Sequence, residues 1–151
     1  ELKSQQQKLM DYVYDGGTLI VQYNTNRGLK VENFGPLDMS LGRGRVTEED
    51  AKVTFLAPEH PILQSPNEIK LEDFDGWVQE RGLYFAKDWD AGYVPILSWC
   101  DQGEEAEKGS LLALSHGKGV FVYTGISFFR QLPAGVPGAY RLFANILSFR
   151  K

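Results

Sequence analysis

The chain of 151 residues is long enough for one domain and too short for two with separate cores. Its 42% apolar, 13% aromatic and 24% charged residues exclude disorder, collagen-like repeats and coiled coil. A net charge of -4 with scattered basic residues excludes a clustered nucleic-acid footprint, and no apolar run approaches the roughly 18 residues that cross a membrane.

Leu2 to Tyr14 reads as an amphipathic helix, with Leu2, Leu9, Met10 and Val13 at helical spacings and Lys3, Gln5, Gln6, Gln7 and Lys8 between them. Gly16 and Gly17 stop it. Thr18 to Tyr23 follows as a continuous apolar, β-branched run, the pattern of a strand buried on both faces within a parallel sheet. Helix, Gly-Gly and buried strand make the second half of a β-α-β unit, so a first strand is expected before Glu1. A start at Glu1 rather than methionine likewise predicts a piece of a longer protein.

Asn24 to Gly44 is rich in Asn, Gly and Pro without a period and reads as an irregular excursion. A short strand is expected over Lys52 to Leu56, a proline-punctuated loop over Pro58 to Pro66 and a helical turn over Leu71 to Asp75. Strands are expected over Leu83 to Phe85 and Tyr93 to Trp99, then an acidic loop over Gly103 to Gly109. Ser110 to Ser115 and Val120 to Thr124 flank His116-Gly117-Lys118-Gly119 and predict a terminal β-hairpin. Pro137 to Phe149 predicts a closing helix with Leu142, Phe143, Ile146 and Leu147 on one face. There are no internal repeats or linkers, so a single domain over 1–151 is expected.

Nucleophilic chemistry on an α/β sheet needs Cys or Ser on a tight strand-to-helix turn with a His in reach. At the end of the buried strand the chain has Gln22-Tyr23-Asn24-Thr25-Asn26 instead. Cys100, the one cysteine, excludes an internal disulfide and a cysteine zinc cluster, and it reads as a small core or rim residue. His60 and His116 fall in turns, and no H-x-x-x-H, H-E-x-x-H or C-x-x-C occurs, so neither metal nor cofactor is expected. Arg43 and Arg45 share one face of an extended segment. Their partner is either a carboxylate such as Glu48, Glu49 or Asp50, or a ligand. The segment Phe74 to Phe85 sets Glu80 and Arg81 among aromatics, as a carbohydrate site does and as a core margin does. Phe128-Phe129-Arg130-Gln131 leads through a Gly and Pro loop into the last helix, whose first amides can receive an anion.

Three runs, DYVYDGGTLIVQYNT (11–25), WVQERGLYF (77–85) and YTGISFFRQLPAGVPG (123–138), resemble the C-terminal region of large bacterial PIG-L (LmbE-like) deacetylase-family proteins. That region is similar to class I glutamine amidotransferase-like domains and, in fold, to ThuA-like domains. The resemblance implies a three-layer, flavodoxin-like α/β fold with a mostly parallel sheet whose first strands precede Glu1. It also implies an upstream catalytic domain in the same polypeptide and a periplasmic or other extracytoplasmic setting, a cytoplasmic one being the alternative. The amidotransferase Cys elbow and late His-x-Glu pair are absent here, as is the deacetylase His-Pro-Asp-Asp-Glu string, since His60-Pro61 is followed by Ile62-Leu63.

The resulting expectation is a non-catalytic accessory domain that binds carbohydrate, or packs against a catalytic domain or another subunit. Ligands of open α/β sheets gather beyond the carboxyl ends of the strands, which nominates Gln22, Asn24 and Asn26, with Glu80, Arg81 and Arg130 as further candidates. The alternative is a hydrolase in which Glu80 or Asp101 activates a water on a sugar-related substrate, an arrangement needing two carboxylates in one cleft. A purely structural role in homo-oligomer assembly is the third reading.

Overall fold

Helix α1 spans Leu2–Tyr14 and ends where the glycines begin: Gly16 adopts φ 120, a backbone region open to glycine. Its Val13 is wholly buried while Tyr12 and Tyr14 stay exposed. The computed structural model describes residues 2–28, 31 and 33–151. The Leu2 side chain and residues 29, 30 and 32 of the expected irregular excursion lie outside the described part, as does anything before Glu1.

After α1 come β1 (Thr18–Gln22), β2 (Met39–Leu41), β3 (Arg45–Val46), β4 (Val53–Phe55), α2 (Pro61–Gln64) and a 3-10 turn (Leu71–Phe74). Then follow β5 (Gly82–Leu83), β6 (Ala86–Trp89), β7 (Val94–Pro95), β8 (Leu97–Trp99), β9 (Leu111–His116), β10 (Gly119–Thr124), α3 (Phe128–Gln131) and α4 (Pro137–Ser148). The central sheet has the order β1-β10-β9-β7. β1 runs parallel to β10 with Ile20 opposite Val122, whereas β10–β9 and β9–β7 are antiparallel. Three antiparallel pairs, β2–β6, β3–β5 and β4–β8, form separate ladders.

The fold is therefore mixed α/β around a mixed sheet. A mostly parallel sheet was the expectation, and among the described strands β1–β10 is the parallel pair. The cause is local, because Gly117 and Lys118 join β9 to β10 in a tight turn and strands so joined must run antiparallel. β1, read as buried on both faces, is half-buried, at the edge of the sheet among the described strands with β10 beside it.

Strict alternation divides the core between the two sheet faces. Leu112, Leu114, Phe121 and Tyr123 gather with Val13 of α1 and with Leu19 and Val21 on one face. Leu111, Ala113, Val120 and Val122 gather on the other with Ile20 and with Ala139, Leu142 and Ile146 of α4. Phe121 and Tyr123 are fully buried, each contributing about 2–3 kcal/mol by removal of its ring from water.

Elsewhere the elements are finer than the apolar runs suggest. The run Tyr93 to Trp99 divides into β7 and β8 after Pro95, which has no N–H to give, and β8 crosses to pair with β4. Leu83 to Phe85 divides at Tyr84, whose φ of 59 breaks an extended backbone. The proline loop holds α2, started by Pro61 and capped by His60, whose Nδ1 accepts from the Ile62 N–H at 3.2 Å. The excursion after Asn24 contains β2, and the segment after β10 contains α3.

Candidate functional site

The parallel strands β1 and β10 end together, Gln22 opposite Thr124. The next residue, Tyr23, still bonds the Thr124 carbonyl through its N–H at 2.8 Å, but its φ of 47 turns the chain out of the sheet. Its hydroxyl then donates to Glu80 Oε1 at 3.2 Å. Arg130, from α3, donates through Nε to the same oxygen at 3.0 Å and through Nη1 to the Gln79 side-chain carbonyl. Edge-on contacts surround this polar centre: the Tyr23 ring lies 4.6 Å from Phe129 and 5.7 Å from Tyr84, and the Arg130 guanidinium lies 5.0 Å from the Phe129 ring.

The loop carrying Glu80 is held from beneath. Buried Gln131 accepts from the Val78 N–H at 2.9 Å and donates to the carbonyls of Val78 at 2.9 Å and Glu80 at 3.1 Å. Ser127 donates its hydroxyl to the Glu80 carbonyl, and Glu49 accepts from the Gln79 N–H. These bonds fix an unfavourable backbone. Tyr23, Gln79 and Tyr84, with φ of 47, 64 and 59, are the non-glycine residues at positive φ among the described ones, and all three are here. Each costs on the order of 1–3 kcal/mol, which the surroundings must over-determine.

Burial, and then the charge of Glu80, push the Tyr23 hydroxyl up to about 12, so near neutrality it is a fixed hydrogen-bond donor. Both donors act on Glu80 Oε1, and Oε2 makes no hydrogen bond with a described residue. Phe129 is 48% exposed. The arrangement offers a free carboxylate oxygen, an amide and an aromatic edge to something polar.

Of the six nominated residues, the structure brings Glu80 and Arg130 together. Gln22 and Asn24, on either side of Tyr23, line a separate hollow of about 280 Å³ between α1 and β1, where Asn24 donates to the Gln22 carbonyl at 3.1 Å. Asn26 makes no hydrogen bond with a described residue. Arg81 belongs to the core, 3% exposed, its guanidinium between the rings of Phe74, Trp77 and Trp99. It donates to the carbonyls of Phe74 at 2.6 Å and Ala51 at 2.9 Å. Tyr23, Gln79, Phe129, Ser127 and Gln131 were not nominated. Tyr23 ends an apolar run and reads as core, while the proximity of 79–80 to 127–131 is set by tertiary packing.

The nucleophile and bases named from the sequence are dispersed. His60 is spent on the α2 cap, its ring 5.0 Å from Phe149, and burial lowers its pKa. His116 lies at the opposite end of the sheet, 5.6 Å from the Tyr14 ring. Cys100, half-buried after β8, is a free thiol. Among the described residues no group of three or more His, Cys, Asp or Glu is placed to hold a metal.

Asp101 is structural. Its carboxylate accepts from the Thr47 N–H and hydroxyl at 2.7 Å each and from the Glu48 N–H at 2.9 Å. Burial opposes its ionisation, but those bonds and Arg45 prevail and hold it below its usual range. Arg45 pairs with Glu104 at 3.3 Å and Asp101 at 3.6 Å, in place of Glu48, Glu49 or Asp50.

No family model and no curated protein matches the chain. Among solved structures it is similar to one described as Cytoplasmic Protein STM3548 from Salmonella typhimurium, with a TM-score of 0.56 and 18% identity over 96% of this chain. The match covers 60% of that protein, so the chain spans less than two thirds of its length. No helix among the described residues is long and apolar enough to cross a membrane. At this identity the likeness establishes a shared fold.

Proposed function

We propose that the chain is a non-catalytic α/β binding module, an accessory domain of the PIG-L/LmbE type with a flavodoxin-like ancestry, and that it holds a carbohydrate at the carboxyl ends of β1 and β10. The observation that carries this reading is the convergence of Tyr23, Gln79 and Tyr84, all at positive φ, on the Glu80–Arg130 pair. Backbone strain of that kind persists where a site needs it. The location also agrees with the crevice in which open α/β sheets take their ligands. Tyr23 and Phe129 supply aromatic surface for sugar C–H groups, and Gln79 and Glu80 supply planar partners for hydroxyls. Packing against a catalytic domain or a second subunit is the competing use of the same surface.

The hydrolase reading asks for two free carboxylates in one cleft. One oxygen of Glu80 is engaged by Tyr23 and Arg130, and both oxygens of Asp101 by residues 47–48. Glu104 and Glu107 do share a groove, but Glu104 is tied to Arg45. These commitments favour holding over hydrolysis.

The test is a thermal-shift screen with neutral mono- and oligosaccharides, N-acetylglucosamine among them, on the chain and on Phe129→Ala. A sugar that raises Tm in the first and about fivefold less effectively in the second supports the carbohydrate reading. If no sugar raises Tm, the packing role replaces it, and light scattering then reports the assembly.

A further inference from the structure

A larger cavity than the hollow beside α1 lies elsewhere. A groove of about 590 Å³ runs between residues 42–45, 85–89 and 104–109, within the range of small-ligand sites. Its floor is a backbone lattice: Gly42 N–H donates to the Phe85 carbonyl at 2.8 Å, Phe85 N–H to Gly44 at 3.2 Å and Ala86 N–H to Gly109 at 3.0 Å. Gly109 allows the close approach, since a Cβ there would fall 1.9 Å from the Ala86 carbonyl oxygen.

The charges of this groove run against those of the molecule. Arg43, Arg45, Lys87 and Lys108 line it with Glu104 and Glu107, four cations against two carboxylates, a surplus of two positive charges on a chain of net charge -4. Arg45 and Glu104 neutralise each other. The side chains of Arg43, Lys87 and Lys108 make no ion pair or hydrogen bond with a described residue. Glu107 packs its carboxylate over Gly44, where a Cβ would lie 2.6 Å from Oε1. Burial, with Glu104 nearby, raises its pKa. Half-buried Trp89 adds an apolar wall for the body of a ligand, whereas Trp77 and Trp99 are sealed in the core.

We propose that this groove binds a small organic anion, a carboxylate or phosphate on a sugar-sized body, with Arg43, Lys87 and Lys108 receiving the charge and Trp89 the body. Arginine suits both anions through its forked donors, and the two lysines act as point charges. The proposal is independent of the site beside Tyr23.

The experiment titrates the full chain with glucuronate, glucose 6-phosphate and glucose, read by tryptophan fluorescence and calorimetry. Saturable binding of either anion that depends on Arg43, with no Arg43-dependent binding of glucose at the same concentration, supports the proposal, and the preferred anion identifies the source of the charge. Arg43→Gln should then weaken binding about tenfold and Glu107→Gln tighten it several-fold, at unchanged Tm. Lys8→Gln, the same charge change on the exposed face of α1, should leave affinity where it was. Glucose binding that Arg43→Gln weakens as it does the anions, equal losses in Arg43→Gln and Lys8→Gln, or no anion binding at millimolar concentration would each overturn it.

Discussion

The two ends of the central sheet handle the same backbone problem with different residues. At the amino end of β1 the chain turns twice at positive φ, and glycine takes both positions, Gly16 at 120 and Gly117 at 58. The turns interlock, with Lys118 N–H on the Tyr14 carbonyl at 2.8 Å and Val120 N–H on Gly17 at 3.1 Å. At the carboxyl end the comparable conformations fall on Tyr23, Gln79 and Tyr84, which must be forced into them by Gln131, Ser127 and the Tyr123 hydroxyl on the Tyr84 carbonyl. One end solves a folding problem cheaply. The other keeps side chains where glycine would be more stable, and the proposed site rests on that difference.

The contrast can be broken in order of expected effect. Arg81→Ala should be the largest: Arg81 ties the segment between Gln79 and Gly82 to three aromatic rings and two carbonyls. Its truncation leaves a void and unpaired acceptors worth about 3 kcal/mol or more in urea unfolding. A loss under about 1 kcal/mol would detach the site from its support. Next, Gly117→Ala puts a Cβ 2.4 Å from the Tyr14 carbonyl oxygen at φ 58, and unfolding should register a loss of about 2 kcal/mol. Gln79→Gly should run the other way, gaining about 0.5–1 kcal/mol by relief at φ 64 while weakening ligand capture. If it destabilises instead, the two ends are not different in kind.

The smallest effects are in pH. The folded pKa of His60 lies below its ordinary 6.5 through burial, so the unfolded chain takes up the proton first. Its contribution is whole above pH 6.5 and declines as pH falls below it. His60→Asn keeps a capping acceptor and should flatten the fall in stability below pH 6.5 in a series of unfolding curves. Asp101, held below its ordinary 3.8, adds stability above that value that is lost as pH falls through the lower folded one, so Asp101→Asn should remove part of the acid-induced loss.

What could be read from the sequence divides along physical lines. α1, β1, the β9–β10 hairpin and α4 are set by local periodicity, glycine stops and a proline start, so their residues announce them. The two- and three-residue ladders are not local: β2 finds β6 and β3 finds β5 some forty residues on, and nothing in the intervening Asn, Gly and Pro predicts it. Within the site, Glu80 and Arg130 were legible as charges among aromatics. Arg81 was legible in the same way, yet one step along the backbone turns Glu80 toward Tyr23 and Arg81 into the core. Tyr23 hid behind an apolar run, and only the register of β1 on β10 shows that it falls one residue beyond the last pair.

The most direct measurement is amide chemical-shift mapping by heteronuclear NMR while the folded chain is titrated with N-acetylglucosamine and its oligomers. Saturable shifts should gather at Tyr23, Gln79, Glu80, Phe129 and Arg130, leave His116 and Gly117 still, and vanish in Glu80→Gln. Shifts at the glycine-turn end alone, or none at either end at saturating sugar, would contradict a carbohydrate site at the carboxyl ends of β1 and β10.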